Sequence, residues 1–180
     1  MIILGGVTRL THSGLSMVNW EPFIGIIPPL NQQDWLELFH QYQQYPEYKL
    51  IHTDMGLEEF KTIFYFEYSH RVLGRLIGMI FFIPLTVFWF KGFLTKRLLN
   101  KMTIIFILGT AQGLLGWYMV QSGLVNEPRV SQYRLSAHLG LAVALFGCIV
   151  WLATKGRYLV VSGAVQCHQI RKKLGVHGTQ

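Results

Sequence analysis

Apolar residues are concentrated in three long runs, Phe66 to Phe90, Thr103 to Ser122 and Leu135 to Thr154. Each is near the roughly 20 mostly apolar residues that cross a bilayer as a helix. The pattern predicts three transmembrane helices, termed spans A, B and C. Two further apolar stretches, Met1 to Val7 and Tyr158 to Val165, are too short to cross and read as the cut ends of something larger. The chain then parses into segments. Residues 1–16 hold the first of these cut ends, 17–65 an outer-side loop, and 66–90 span A. Residues 91–102 form a basic inner loop, 103–122 span B, 123–134 a second outer loop, and 135–154 span C. Residues 155–180 are a basic inner segment that leads toward further chain. Inside the first outer segment, GIIPPLNQQDWLELFHQYQQYPEY is rich in Pro, Trp, Tyr and acids, and it predicts a folded loop with short helices such as Gln33 to Tyr42.

Charge supplies the sidedness. The first outer segment carries Glu21, Asp34, Glu37, Glu47, Asp54, Glu58 and Glu59. The A to B connection carries Lys91, Lys96, Arg97 and Lys101, and the segment after span C adds Lys155, Arg157, Arg171, Lys172 and Lys173. Cytoplasmic or matrix loops hold the excess of Lys and Arg, so both basic segments face inward and the acidic loop faces outward. Arg129 and Arg134 in the second outer loop reduce that contrast. The composition agrees, with 51% hydrophobic and only 14% charged residues. The net charge of +7 is absorbed by topology, which leaves no case for a nucleic-acid partner. Cys148 in an apolar run and Cys167 in a basic tail read as free thiols rather than a disulfide framework.

Span A opens with FYFEYSHRVLGRLIG, which is costly for a membrane helix. Glu67, His70, Arg71, Gly74, Arg75 and Gly78 are spaced by three and four and share one face. An ionised group near the membrane centre costs about 2.5 to 3.5 kcal/mol on insertion scales, so this face must meet a cavity or a neighbouring helix. Gly74 and Gly78 lie one and two turns below His70 and leave room for something flat and large. The plainer reading pairs Glu67 with Arg71 and lets the glycines admit another helix. Span C shifts the balance, because its opening YRLSAHLGLAVALFG carries His138 at the same depth as His70. Spans A and C run in the same direction, since one antiparallel span separates them. Two imidazoles at matching depth are what a six-coordinate haem iron requires. Span B contributes Gly109, Gly113 and Gly116 with Gln112, which permits close helix approach or space for a ring. Zinc would need a third and fourth ligand at that depth, and none is visible.

These residues resemble the haem A synthases of mitochondria and alphaproteobacteria. The resemblance is carried by GGVTRLTHSGLSMVNW, PPLNQQDW, EEFKTIFYFEYSHRVLGRLIG, QGLLGWYMVQSGL and PRVSQYRLSAHLG. It implies an all-α membrane protein, half of an eight-helix bundle, with three full transmembrane helices plus a truncated first one. The basic tail ending RKKLGVHGTQ would begin a fifth helix. The family's reaction oxidises a methyl group of haem O to the formyl group of haem A for cytochrome c oxidase. His70 and His138 match the axial ligands of the substrate haem iron, and Glu67 matches the acid of the chemistry. The resemblance places the haem b cofactor in the half of the family protein beyond this chain. Arg71, Arg75, Arg9 and Arg129 are the candidate partners for haem propionates. Burial would push the Glu67 carboxyl up and Arg71 would pull it down. The implied setting is the mitochondrial inner membrane, with the haem site toward the intermembrane space and with haem O synthase and oxidase assembly factors as partners. His12, His40, His52, His168 and His177 are expected to be non-ligating. A non-catalytic haem-binding or assembly half-bundle is the alternative, and an electron-transfer four-helix cytochrome ranks last because only one outward histidine pair is present.

Overall fold

A computed structural model of the chain describes residues 1–18, 27–123 and 131–173, with side chains as far as Lys155. Every regular element among them is a helix: α1 (Ile2–Leu10), α2 (Gln32–Tyr42), α3 (Pro46–Ile51), α4 (Leu57–Phe90), α5 (Lys96–Gly123) and α6 (Gln132–Lys173). The chain is an all-α membrane protein. Among the described residues, three helices are long and apolar enough to cross a bilayer, namely α4, α5 and α6 as far as Lys155. The chain divides into two compact units, Met1–Ala142 and Val143–Gln180, the second comprising the remainder of α6 and the residues beyond it.

The helices are longer than the apolar runs. α4 starts at Leu57 rather than Phe66, so the end of the expected outer loop is already helical. α5 likewise begins inside the expected basic loop, at Lys96, and α6 continues through Lys173 across the second short apolar stretch. Hydropathy marks only the part of a helix that sits in hydrocarbon, whereas a helix continues into water wherever its ends are satisfied. At the start of α4, Glu58 and Glu59 complement the helix dipole, and the Gly56 N–H donates to Glu59 Oε2 at 3.1 Å. At its other end Gly92 adopts φ +69°, its N–H donates to the Trp89 carbonyl, and the Phe93 N–H donates to the Phe88 carbonyl. That pattern is the Schellman stop, completed by contact between the Phe88 and Phe93 rings. Pro84 sits inside α4, a placement that membrane helices tolerate more readily than soluble ones.

α1 ends the same way with a less suitable residue. His12 takes φ 51°, and the Ser13 N–H donates to the Thr8 carbonyl at 3.0 Å. The turn redirects the chain so that Leu15, Ser16, Met17 and Val18 run back against α4 and are buried. The expected helix at Gln33 to Tyr42 is α2, capped by the Asn31 side chain, which accepts from the Asp34 N–H at 2.8 Å. α3 starts with Pro46 at its first position, where a missing N–H costs nothing. Trp35, Phe39 and Tyr42 of α2 pack on Phe60 and Phe64 of α4, with Trp35 edge-on to Phe64 at 5.0 Å and Tyr42 stacked on Phe60 at 5.1 Å. Together with Leu15, Met17, Val18 and Ile63 they form the buried core, an apolar cap around the protruding end of α4.

Candidate functional site

α1 and α4 pack together, and their glycines set how closely. A Cβ added at Gly5 would stand 3.2 Å from Nε2 of His70, and one at Gly74 would stand 3.3 Å from the terminal methyl of Met1. Gly5 therefore lets the His70 ring lie against α1. Gly74, expected to leave space for a large flat group, meets Met1 instead, which favours the plainer helix-packing reading at that position. Gly78 has nothing within 4 Å of an added Cβ.

Just above His70, Glu67 is 3% exposed and fully engaged. Its Oε2 accepts from the Ser16 hydroxyl and from the Met17 N–H, both at 2.8 Å. Its Oε1 pairs with the Arg71 guanidinium, which also donates to the Met17 carbonyl at 3.2 Å. Three donors converge on one carboxylate, an arrangement suited to a group that accepts only. This cluster fastens the chain after α1 to the membrane helix. Arg71 faces Glu67, as the four-residue spacing predicts.

His138 on α6 lies against α5. A Cβ at Gly116 would approach its ring to 3.0 Å, so glycine is what admits the imidazole. The Gln112 amide nitrogen donates to the His138 carbonyl at 3.0 Å and lies 3.3 Å from its Nε2. The carbonyl can only accept, which fixes the amide orientation. An amide nitrogen can only donate, so Nε2 offers a lone pair and Nδ1 holds the proton. That Nδ1, and the Gln112 Oε1, are buried with no hydrogen-bond partner. A neutral imidazole offers the Nε2 lone pair that an iron ligand needs, but here that lone pair is turned to Gln112 on α5, so ligation would require Gln112 to give it up. His70 and His138 belong to the same unit, His70 lying against α1 at Gly5 and His138 against α5 at Gly116.

The other candidates distribute unevenly. Arg9 lies in the last turn of α1, and Arg75 is half-buried on α4 with a partner of its own. Arg129 lies outside the described residues. His12 and His40 are exposed, whereas His52 is partly buried and burial lowers its pKa. His168 and His177 fall where no side chain is described. A cavity of about 520 Å³ lies at the other end of α4 and α5, near their connection, and Phe82, Trp89, Asn100 and Ile104 are among its lining residues. Sequence reasoning did not single out Gly5, Ser16 or Glu47. Only the string GGVTRLTHSG, with two glycines in an apolar helix, hinted at a close approach there.

Fold and site together define a multi-pass helical membrane protein with a buried polar cluster at the head of one span and a histidine on each of two spans. Residues 1–175 match the COX15-CtaA family, described as cytochrome oxidase assembly protein, and the chain belongs to that family. It is 57% identical over 153 residues to the Heme A synthase of Nitrosospira multiformis, an alignment covering 85% of this chain and 43% of that protein. Identity is 54% over 153 residues to the Heme A synthase of Paramagnetospirillum magneticum, covering 85% and 43%. It is 50% over 156 residues to Heme A synthase COX15 of Homo sapiens, covering 83% and 38%. The chain spans less than half the length of these relatives. No solved structure matches it.

Proposed function

We propose that this chain is the substrate-holding, amino-terminal part of a haem A synthase, an oxidoreductase that converts the methyl group of haem O to the formyl group of haem A. His70 and His138 would hold the substrate iron. Glu67 holds or moves a proton beside the reacting methyl. Arg71, Arg75, Arg9 and Arg129 are available to the propionates as charge-assisted donors. Haem b, the cofactor expected in the remainder of the full-length protein, supplies redox chemistry when bound. The setting is the mitochondrial inner membrane, with the acidic cap and the haem site toward the intermembrane space. Haem O synthase and oxidase assembly factors are the expected partners.

The observation that carries this reading is the His70 and His138 pair, on two membrane helices of one unit, each ring packed closely against a glycine of a neighbouring helix. The test uses the full-length parent protein in membranes. His70→Ala and His138→Ala are expected to alter the absorption and electron-resonance spectra and to abolish haem A, and an unaltered spectrum removes that residue as a ligand. Glu67→Gln is expected to keep the haem spectrum while haem O accumulates, and unchanged haem A output removes the proton role.

A second reading has its own support, because all three donors around Glu67 come from the protein itself. Glu67 is then an anchor for the cap rather than a proton carrier. Loss of haem binding together with loss of product in Glu67→Gln would favour the anchor.

A further inference from the structure

Glu47 is a second buried carboxyl, and neither the haem reading nor the Glu67 cluster uses it. It sits near the start of α3, 5% exposed, inside the acidic outer cap. The hydroxyl of Tyr42, itself fully buried, donates to its Oε2 at 3.2 Å. Tyr42 in turn stacks on Phe60 of α4 and contacts Tyr48 of α3 edge-on. This pair therefore lies in the seam between α2, α3 and α4. Among the described residues, the charged group that acts on Glu47 is another carboxylate, Glu67 on α4, which repels it. A buried carboxylate without a cation is costly, and the low-cost form is the neutral acid.

We propose that Glu47 is a proton-operated latch, which in its protonated form holds the α2–α3 cap closed on α4 over the Glu67 cluster and in its ionised form releases it. Burial first, and then Glu67, push the Glu47 carboxyl up to about 8 from an ordinary 4.5, and the Tyr42 hydrogen bond offsets part of that rise. The closed cap thus binds more protons than the open one between those two values. Its stability is fully present below 4.5 and falls as pH rises, by up to about tenfold per pH unit in the closing constant, until 8. His52 works in the opposite sense. Its pKa is lowered by burial and by His12, so its contribution rises with pH up to its ordinary 6.5. From 6.5 to 8 Glu47 is the group of this seam that titrates, because Tyr42, which burial and Glu47 push up from its ordinary 10, contributes only at higher pH, and this makes that interval the diagnostic one. In the fold, release of the cap would free the segment carrying Ser16 and Met17, whose donors position Glu67. Glu47 is accordingly a positioning residue.

The latch does not rest on the haem reading, and it is tested without turnover. Hydrogen exchange of residues 32–51 is measured in the full-length parent protein in lipid nanodiscs from pH 6.5 to 9.5, corrected for the intrinsic pH dependence of exchange. Protection in the wild type should fall about 16-fold between pH 6.5 and 8 and level off at a total of about 30-fold above about pH 9. Glu47→Gln, which keeps an acceptor for Tyr42, should show a flat profile. A flat wild-type profile, or the same fall in Glu47→Gln, overturns the proposal. If Glu47→Gln does not fold, Tyr42→Phe serves instead. Losing the hydrogen bond that lowers the Glu47 pKa should extend the fall to higher pH, and an unmoved plateau overturns the proposal.

Discussion

On α4, Phe60 is 1% exposed, while Ile80 on the same helix is 71% exposed. The first lies in the cap, under Tyr42 and Trp35, in a core that excludes water by packing protein on protein. The second belongs to a stretch of which none is buried inside the protein. Both residues are large and apolar, yet one has found its solvent within the chain and the other finds it in lipid. Between them lie Glu67 and Arg71, paired at the boundary of the two regions. The contrast locates the folding energy. Hydrophobic packing of side chains holds the cap, whereas lipid supplies the environment that stabilises the spans, and helix contacts there are set by glycines and polar groups.

The largest effect that would sharpen this contrast is expected in the cap. Phe60→Ala should destabilise the cap by about 3 to 5 kcal/mol, as for other buried phenylalanines, while Ile107→Ala on the exposed face of α5 should cost less than about 1 kcal/mol. Denaturant titration in detergent, followed by exchange protection of α2, measures both. Equal losses would mean that the spans also carry a packed core. Next is Ile80→Lys, which should cost about 2.5 to 3.5 kcal/mol of insertion free energy, because it places an ammonium on a lipid-facing position near the middle of a span. A glycosylation-mapping insertion assay reads it, and normal insertion would show that Ile80 faces a wet or protein-lined surface. The smallest effect belongs to the turn after α1. His12→Gly relieves a left-handed residue at about 1 to 2 kcal/mol and loses part of that to the unfolded chain's freedom, for a net gain of about 0.5 to 1 kcal/mol in thermal unfolding. A loss instead would assign His12 a side-chain role.

Most of the architecture was legible, because hydropathy over about 20 residues is a strong signal and the basic segments flank the spans as topology requires. The Glu67 and Arg71 pair was legible too, since four-residue spacing on a helix dictates a shared face. What escaped was tertiary. Nothing in SHRVLG says that Gly74 meets Met1, because the partner is 73 residues away in the chain and lies on another element. The donors to Glu67 come from Ser16 and the Met17 backbone, and a backbone N–H has no sequence signature. Glu47 read as one acid among seven in a folded outer segment, and only folding α3 against α2 and α4 took it out of water. The beginning of α4 was missed for a different reason, since Leu57 to Tyr65 is too mixed in polarity to register as membrane helix although it has sound capping.

That early start has a mechanical side. A 34-residue helix is about 51 Å long, against about 30 Å of hydrocarbon, so some 20 Å of α4 stands clear of the lipid as a mast to which α2 is lashed. A tilt of about 10° in the bilayer would swing the top of that mast sideways by roughly 3 to 4 Å, simple lever geometry on a 1.5 Å rise per residue. Bilayer thickness, which sets such tilts, thereby becomes a lever on where Glu67 and its partners sit.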